Sequence, residues 1–211
     1  MATKAEGTKS ETTALGQRGP AEHERREQIL KAADEHFRHY GYNKTTVADL
    51  AKAIGLSTAY IYKFFESKQA IGEAVCAMTL GRISAELRNV VKERKPAADR
   101  LRLIYQRLAR LSAELLFNER ELHDLAANAC AEKWQSVNDH QAAILEIIRE
   151  VISQGREAGE FERKTPIDDG CRAIMQTIEP FWKPIFLEQN FDEIDERALS
   201  VANLVLRSLA P

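Results

Sequence analysis

A run of hydroxyl, phenol and ammonium side chains between residues 46 and 68 contains the groups that bind phosphate. Ammonium, hydroxyl and phenol groups donate to phosphate oxygens, whereas small and aromatic side chains contact base edges and the thymine methyl. The donors are Thr46, Ser57, Thr58, Tyr60, Tyr62, Lys63 and Lys68, with the small Ala59 among them. This segment predicts a surface that binds a nucleic acid, with Ala59 and the Tyr60 ring able to touch a thymine methyl.

Two other pairs of side chains have types that do chemistry. Cys130 and His123 lie seven residues apart on one helical face, as a nucleophile and its base would. Nothing in the sequence supplies a third orienting group or an oxyanion donor, so we expect no catalysis. His36 and His39 have a spacing that can hold a metal, but a solvated helix face is favoured. We therefore expect neither a metal nor a cofactor.

Composition limits the classes of protein that are open. The chain has 211 residues, 44% of them hydrophobic and 29% charged, which is an ordinary globular balance. A net charge of −2 argues against a protein that coats nucleic acid without specificity. Positive charge is local instead, because residues 43–68 carry four lysines against Asp49 and Glu66.

The sequence also predicts where the protein works. No apolar stretch is long enough to cross a membrane, and the N-terminus lacks the apolar middle of a secretory signal. The three cysteines lie far apart, as in a reduced protein. We expect a cytoplasmic protein whose residues 1–20, rich in Thr, Ser, Gly and Lys, form a disordered tail.

The elements that must position the donors are three helices. The spacing of Ile29, Ala33 and Phe37 predicts a helix over residues 21–40. Thr46 and Asp49 approximate a capping box at the start of a short second helix, which Gly55 ends.

Ser57 is the expected N-cap of a third helix that reaches about residue 65. Its Ile61, Phe64 and Phe65 gather on one face, so the opposite face is left to solvent. Two short capped helices around a glycine also occur in purely structural roles, and the residues alone leave both interpretations open.

Longer helices are predicted in the rest of the chain, and no strand pattern is found. Ser67 is expected to cap a long fourth helix, Pro180 and Pro184 to kink or end a later one, and Asp192 to cap the last one. After the fourth helix, we expect helices at about 96–117, 119–135, 137–158, 165–187 and 192–209. The predicted fold class is all-α: an N-terminal three-helix helix-turn-helix domain, residues 21–82, followed by a helical bundle, residues 83–211.

Between Arg26 and about Val75 the chain resembles the DNA-binding domain of the TetR family of bacterial regulators. The matching residues are Ile29-Leu30, Ala32-Ala33, Phe37, Gly41-Tyr42, Thr45-Thr46-Val47, Asp49-Leu50-Ala51, Ala53, Gly55-Leu56-Ser57, Ile61-Tyr62, Phe65, Ser67-Lys68 and Ile71. The resemblance implies that Thr46, Tyr62 and Lys68 bind phosphates. It also implies that Thr58, Ala59, Tyr60 and Lys63 face the major groove. The family often has a Gly-Thr pair where this chain has Ala59-Tyr60, so the base preference does not carry over.

For the second half, the resemblance implies a homodimer through residues 165–187 and 192–209, with a pocket for a small hydrophobic or aromatic effector in the preceding helices. The expected pocket residues are Leu116, Phe117, His123, Ala127, Cys130, Trp134, Met175, Ile178 and Trp182. Apolar residues at helical spacing also form plain core, and that alternative stays open.

The function that these patterns favour is sequence-specific transcriptional regulation, by a repressor that a small molecule releases from double-stranded operator DNA. The alternative is a helical protein-interaction adapter without specific DNA binding, which would also explain the acidic balance and the small basic surplus. A remote third possibility is an enzyme that uses Cys130.

Overall fold

The computed structural model describes residues 20–117 and 123–211, and in these ranges the chain is helical with no strand. The α-helices are α1 (Pro20–Tyr40), α2 (Val47–Ala53), α3 (Thr58–Ile61), α4 (Lys68–Val91), α5 (Ala97–Phe117), α6 (His123–Ala131), α7 (Gln135–Glu157), α8 (Ile167–Ile178), α9 (Pro184–Asn190) and α10 (Ile194–Ser208). Short 3-10 turns, Glu179–Phe181 and Phe191–Glu193, flank α9. The all-helical prediction is confirmed.

The first three helices and the start of α4 pack around one core, and we call residues 20–82 the head. Ile29, Ala33 and Phe37 of α1 are fully buried there, as their spacing predicts. Gly41 follows α1 at a φ of 86°, a conformation that glycine adopts without strain. Its carbonyl accepts from the buried hydroxyl of Thr45 at 2.8 Å, which fixes the turn into α2.

The third helix is shorter than predicted. It ends at Ile61 instead of reaching residue 65, and residues 62–64 continue as turns. The amides of Phe64 and Phe65 both donate to the Ile61 carbonyl, at 2.9 and 3.1 Å. Ile61 and Phe65 are buried as predicted, whereas Phe64 is only partly buried. Phe64 and Phe65 therefore lie in the turn after α3, and their hydrogen bonds to Ile61 hold this turn against the end of the helix.

The remaining helices form a bundle, and we call the described residues from 83 onward the body. Helix α4 runs through both parts and packs most extensively on α7. Helix α5 lies between α4, α7 and α10, and α8 packs on α7. The Glu160 carboxylate accepts from the amides of Ala97 and Ala98 at the start of α5, at 3.0 and 3.2 Å. Two otherwise unsatisfied donors are thereby paired.

The chain between α8 and α10 follows its prolines. Helix α8 ends at Ile178, two residues before Pro180, and Pro184 opens α9, so the predicted interruption is confirmed. The prediction that Asp192 caps the last helix is wrong. Phe191–Glu193 form a 3-10 turn, and the N-cap of α10 is Glu193, whose side chain makes no capping hydrogen bond.

Some predictions fall on residues outside the described ranges. Residues 1–19, almost all of the predicted tail, are among them, and so are residues 118–122 at the predicted start of the sixth helix. The described part of that helix ends at Ala131, four residues earlier than predicted. None of the described helices combines the length and the apolar character that a membrane crossing requires.

Candidate nucleic-acid interface and effector cavity

The start of α2 is a complete capping box. The Thr46 hydroxyl accepts from the Asp49 amide at 3.2 Å and donates to the Asp49 carboxylate at 2.6 Å. The Thr46 amide donates to the same carboxylate at 2.9 Å. These hydrogen bonds from Thr46 lower the pKa of Asp49. The hydroxyl that is expected to bind phosphate is therefore already engaged, and it must turn away from Asp49 to donate to DNA.

The third helix presents one face to solvent. Ser57 caps it as predicted, because its hydroxyl accepts from the Tyr60 amide at 3.2 Å. Ala59, Tyr62 and Lys63 are exposed, with half of Tyr62 open to solvent, while Ile61 is fully buried. The buried side chain holds the helix against the head, and the outer side is free to enter a groove.

Aromatic contacts fix the far end of this exposed face. The Tyr60 ring lies 5.4 Å from the Phe64 ring, and the Lys63 ammonium lies 5.5 Å from the centre of the Tyr60 ring. Arg26 of α1 lies over the Phe65 ring at 4.7 Å. Tyr60 is thus a half-buried side chain whose ring is held by Phe64 and Lys63. These contacts favour a single orientation of the ring.

Lys68 ties the beginning of α4 to the loop before α2. Its ammonium donates to the Asn43 carbonyl at 3.4 Å and lies 4.4 Å from the centre of the Tyr42 ring. Partial burial lowers the pKa of Lys68. An ammonium has three donors, so the contact to Asn43 leaves two that can bind a phosphate.

A small cavity lies beneath the head core and is lined by residues of both the head and the body. Its volume is about 30 Å³, enough for one or two water molecules. The lining residues are Cys76, Leu80, Ile83, Ser112, Leu115, Leu116, Ala126, Ala129, Cys130, Trp182 and Pro184. A drug-sized ligand needs about 300 Å³ or more, so this conformation is closed to an effector of that size.

Only part of the expected pocket set lies at this cavity. Leu116, Cys130 and Trp182 line it, whereas Met175 and Ile178 belong to the core of the body. His123 lies at the surface, where its Nε2 is 2.8 Å from a Glu188 carboxylate oxygen. Ala127 is partly buried on α6 and does not line the cavity; the side chain of Phe117 lies outside the described residues.

Trp134 lies at the junction of the head and the body. Its ring meets Tyr42 edge to face at 5.8 Å, and its Nε1 donates to the Glu132 carboxylate at 2.7 Å. Gly72 of α4 faces this pair closely, because a Cβ there would lie 2.6 Å from the Tyr42 ring and 3.0 Å from Trp134. The junction is packed so tightly that no side chain fits at position 72.

Helix α6 contacts both the cavity and the head. Ala126, Ala129 and Cys130 line the cavity, while Leu125 and Ala129 pack in the head core. In addition, the Glu73 carboxylate accepts from the amide of Gln135 at 2.7 Å, where α7 begins. Helix α6 therefore lies between the cavity and the head core, and the head residues Cys76 and Leu80 line the cavity as well.

Several of these residues were missed by the sequence reasoning. Cys76, Leu80 and Ile83 lie at i, i+4 and i+7 on α4, so the sequence does show that they share a face. It does not show that this face turns toward α6 at the cavity. Nothing in the sequence indicates that Arg26 or Tyr42 takes part in a contact with an aromatic ring or a cation.

The surface of the last helices is partly apolar. Ile185 and Phe186 of α9 are exposed, and so is Leu204 of α10. The predicted dimer segments, residues 165–187 and 192–209, contain all three. Their inner faces, including Cys171 of α8 and Ala198 of α10, are buried within the chain itself.

The comparisons with known proteins agree with this architecture. A family model of bacterial regulatory proteins of the tetR family matches residues 29–75, and one of tetracyclin repressor-like C-terminal domains matches residues 97–202. The HTH-type transcriptional regulator BetI of Cronobacter sakazakii is 30% identical over 168 residues, which cover 75% of this chain and 77% of BetI.

Solved structures show the same fold at low sequence identity. FadR from Bacillus subtilis, in complex with stearoyl-CoA, superposes with a TM-score of 0.63 at 22% identity and covers 87% of this chain and 98% of its own. A transcriptional regulator from Cytophaga hutchinsonii gives a TM-score of 0.70 at 19% identity, with 88% and 98% covered.

The helix-turn-helix head with its exposed third helix, joined to a helical body, defines a DNA-binding transcriptional regulator. The chain belongs to the TetR family of bacterial regulatory proteins. Regulators of this family are dimers that bind operator DNA and small-molecule ligands.

Proposed function

We propose that the protein is a cytoplasmic repressor that binds a palindromic operator as a homodimer and leaves it when a small molecule enters the body. The observation that carries this proposal is the position of α3, whose Ile61 is fully buried while Ala59, Tyr62 and Lys63 are exposed. Each subunit inserts this helix into a major groove, and the half-sites lie about one helical turn apart.

The geometry supports the roles proposed for the head. Lys68 and Tyr62 bind phosphates, because one is a cation with two spare donors and the other is a half-exposed phenol. Thr46 adds a third phosphate contact. Ser57, Thr58, Ala59 and Tyr60, with Lys63, face the bases, and Tyr60 sets the sequence preference.

In this proposal the dimer forms through residues 165–187 and 192–209. Leu204 of α10 and Ile185 of α9 are each 63% exposed, and burying them against a second copy removes apolar surface from water. Such an interface holds two heads at one spacing, which is what a palindromic site requires.

The effector acts by enlarging the cavity beneath the head. A ligand larger than the present cavity of about 30 Å³ must displace α6, and α6 packs against the head through Leu125. The ligand favours the displaced state only by its difference in affinity for the two states. The chemistry of this ligand does not follow from FadR, because the similarity between FadR and this chain, at 22% identity, concerns the fold.

The test is a mobility-shift titration on the DNA upstream of the protein's own coding sequence, repeated at several salt concentrations. Lys68→Ala is expected to weaken binding to every sequence and to lower the slope of log affinity against log salt by about one unit. Tyr60→Ala is expected to change which sequences bind best. Lys164→Ala, at an exposed position of the body, is the matched charge control and leaves both properties unchanged.

An unchanged salt slope for Lys68→Ala would show that the proposed docking is wrong. The protein-interaction adapter predicts a different pattern: association that is weak, equal for all sequences and lost in salt. That pattern for the unaltered protein would exclude the repressor.

A further inference from the structure

The walls of the cavity beneath the head are electrically neutral. Among its described lining residues none is an acid, a lysine or an arginine. Burial raises the pKa of the Cys76 thiol to about 11 and also raises the pKa of Cys130, so both thiols keep their protons at neutral pH. An ionised ligand would therefore meet no opposite charge on these walls.

Trp182, which lines the cavity, carries a hydrogen-bond donor that lacks a partner among the described residues. Trp182 lines the cavity and is only 6% exposed, and its Nε1 is buried with no acceptor among the described residues. A buried indole N–H normally finds a partner, because an unpaired donor has lost its hydrogen bonds to water without replacement. Trp134 shows the ordinary arrangement, with its Nε1 bonded to Glu132 at 2.7 Å.

A second unpaired polar atom belongs to the ring that touches Trp182. His140 of α7 is 3% exposed, and its ring centre lies 5.3 Å from that of Trp182 in an edge-to-face contact. Its Nδ1 shares a 2.8 Å hydrogen bond with the Ser84 hydroxyl, while no described residue bonds to its buried Nε2. Burial lowers the pKa of His140 to about 4, so this ring is neutral at physiological pH.

The ammonium beside the Trp182 ring is already paired with a carboxylate. The Lys183 ammonium lies 5.7 Å from the centre of the Trp182 ring, and it is 2.9 Å from a Glu179 carboxylate oxygen. Because Glu179 neutralises this charge, a carboxylate or phosphate in the cavity gains little from Lys183, yet it loses its hydration.

We propose that the cavity at Trp182 recognises an uncharged, largely apolar molecule with one oxygen acceptor, such as a hydroxyl or a carbonyl, and rejects carboxylates and phosphates. This inference rests on the proposed effector role of the cavity and names the class of its ligand. The oxygen accepts from Trp182 Nε1, and the apolar remainder packs against the lining residues Leu115, Leu116 and Ala126.

The test uses three probes that share a phenyl ring with two further carbons: 1-phenylethanol, ethylbenzene and phenylacetate. Binding to the full-length protein is measured by isothermal titration calorimetry at pH 7.5, without DNA. We expect 1-phenylethanol to bind about five- to tenfold more tightly than ethylbenzene, which is the effect of one hydrogen bond. Phenylacetate is expected to bind about a hundredfold more weakly than the alcohol.

Two variants separate the donor from the shape of the ring. Trp182→Phe is expected to remove the preference for the alcohol over the hydrocarbon while ethylbenzene still binds. Trp134→Phe is the matched control, because Trp134 does not line the cavity, and it leaves the preference intact.

Equal binding of phenylacetate and the alcohol, a preference that survives in Trp182→Phe, or no binding by any probe would each overturn the assignment. Because the calorimetry needs no DNA, these results stay separate from the mobility-shift test of the head. A protein that binds its operator but shows none of the expected ligand preferences keeps the proposed regulation of DNA and loses this ligand class.

Discussion

The exposed face of α3 and the wall of the cavity differ in where their hydrogen-bonding groups lie. Tyr62 and Lys63 face solvent, whereas the rings of His140 and Trp182 each bury a polar atom that has no partner among the described residues. The inner side of α3 is closed by the fully buried Ile61, while the two rings of the body are packed but incompletely hydrogen-bonded. This difference fits a division of labour, in which the head keeps one shape for DNA and the body changes its shape around a ligand.

The largest effect on stability is expected from a change on the buried side of α3. Ile61→Ala removes a fully buried side chain from the base of α3 and is expected to lower the free energy of unfolding by about 2–5 kcal/mol. Tyr62→Ala, next to it but half exposed, is expected to cost little stability and to weaken DNA binding instead. Urea unfolding and mobility shifts on both variants measure the contrast, and equal losses of stability would contradict it.

Acid is expected to act on the body before the head. The pKa of His140 is lowered by burial from 6.5 to about 4, against a smaller opposite effect of the Leu80 carbonyl. Between pH 6.5 and 4 the unfolded chain therefore binds a proton that the folded chain does not. As the pH is lowered through this range, the free energy of unfolding decreases by about 3 kcal/mol in total. Asp49, whose pKa is lowered below 3.8, contributes a loss only at lower pH.

The variant His140→Gln removes this titration. Its unfolding free energy, measured by urea at intervals between pH 7 and 4, is expected to decline less steeply than that of the unaltered protein. Parallel curves for the two proteins would show that His140 is not the acid-sensitive group of the body.

The two tryptophans are expected to differ although both are buried. Trp134→Phe loses a hydrogen bond to the Glu132 carboxylate and should cost about 2 kcal/mol more than Trp182→Phe, whose indole N–H has no partner among the described residues. Both changes remove the same ring atoms from a buried site, so the hydrogen bond is the main expected difference between them. Thermal and urea unfolding measure it, and a larger loss at Trp182 would mean that its donor is paired.

The smallest effect is expected at the start of α2. Thr46→Ala removes the side-chain cap and should cost about 1 kcal/mol, whereas Thr46→Ser keeps the hydroxyl and most of the stability. The pKa of Asp49 is expected to rise toward its ordinary value in Thr46→Ala, because the Thr46 hydroxyl lowers it now. Carboxyl titration by NMR checks this, and an unchanged pKa would contradict the assigned hydrogen bond.

The comparison also explains what the sequence was able to predict. The capping box at Thr46 and the caps at Ser57 and Ser67 depend on neighbours three residues away, so local spacing was enough to find them. The end of α3 was misplaced because Phe64 and Phe65 continue the apolar pattern through a turn. In the last helix, Asp192 has a suitable side chain, but the 3-10 turn moves the N-cap to Glu193.

The body was harder to predict because its site depends on which helix faces meet. Cys130 and Trp182 were expected near each other and do line one cavity, yet Trp134 points to the head instead. That direction follows from the tight end of α6, where Lys133 adopts a φ of 54° and the Trp134 amide donates to the Ala129 carbonyl at 2.9 Å. A lysine gives no local signal for such a conformation.

Gly72 sets how closely the head approaches the body. Because the Tyr42 ring and Trp134 close over it, the methyl group of Gly72→Ala fits only if these neighbours move apart. If the protein binds DNA as the proposed dimer, such a movement at the junction changes the separation of the two α3 helices along the duplex. Gly72→Ala is then expected to prefer operators with base pairs inserted between their half-sites.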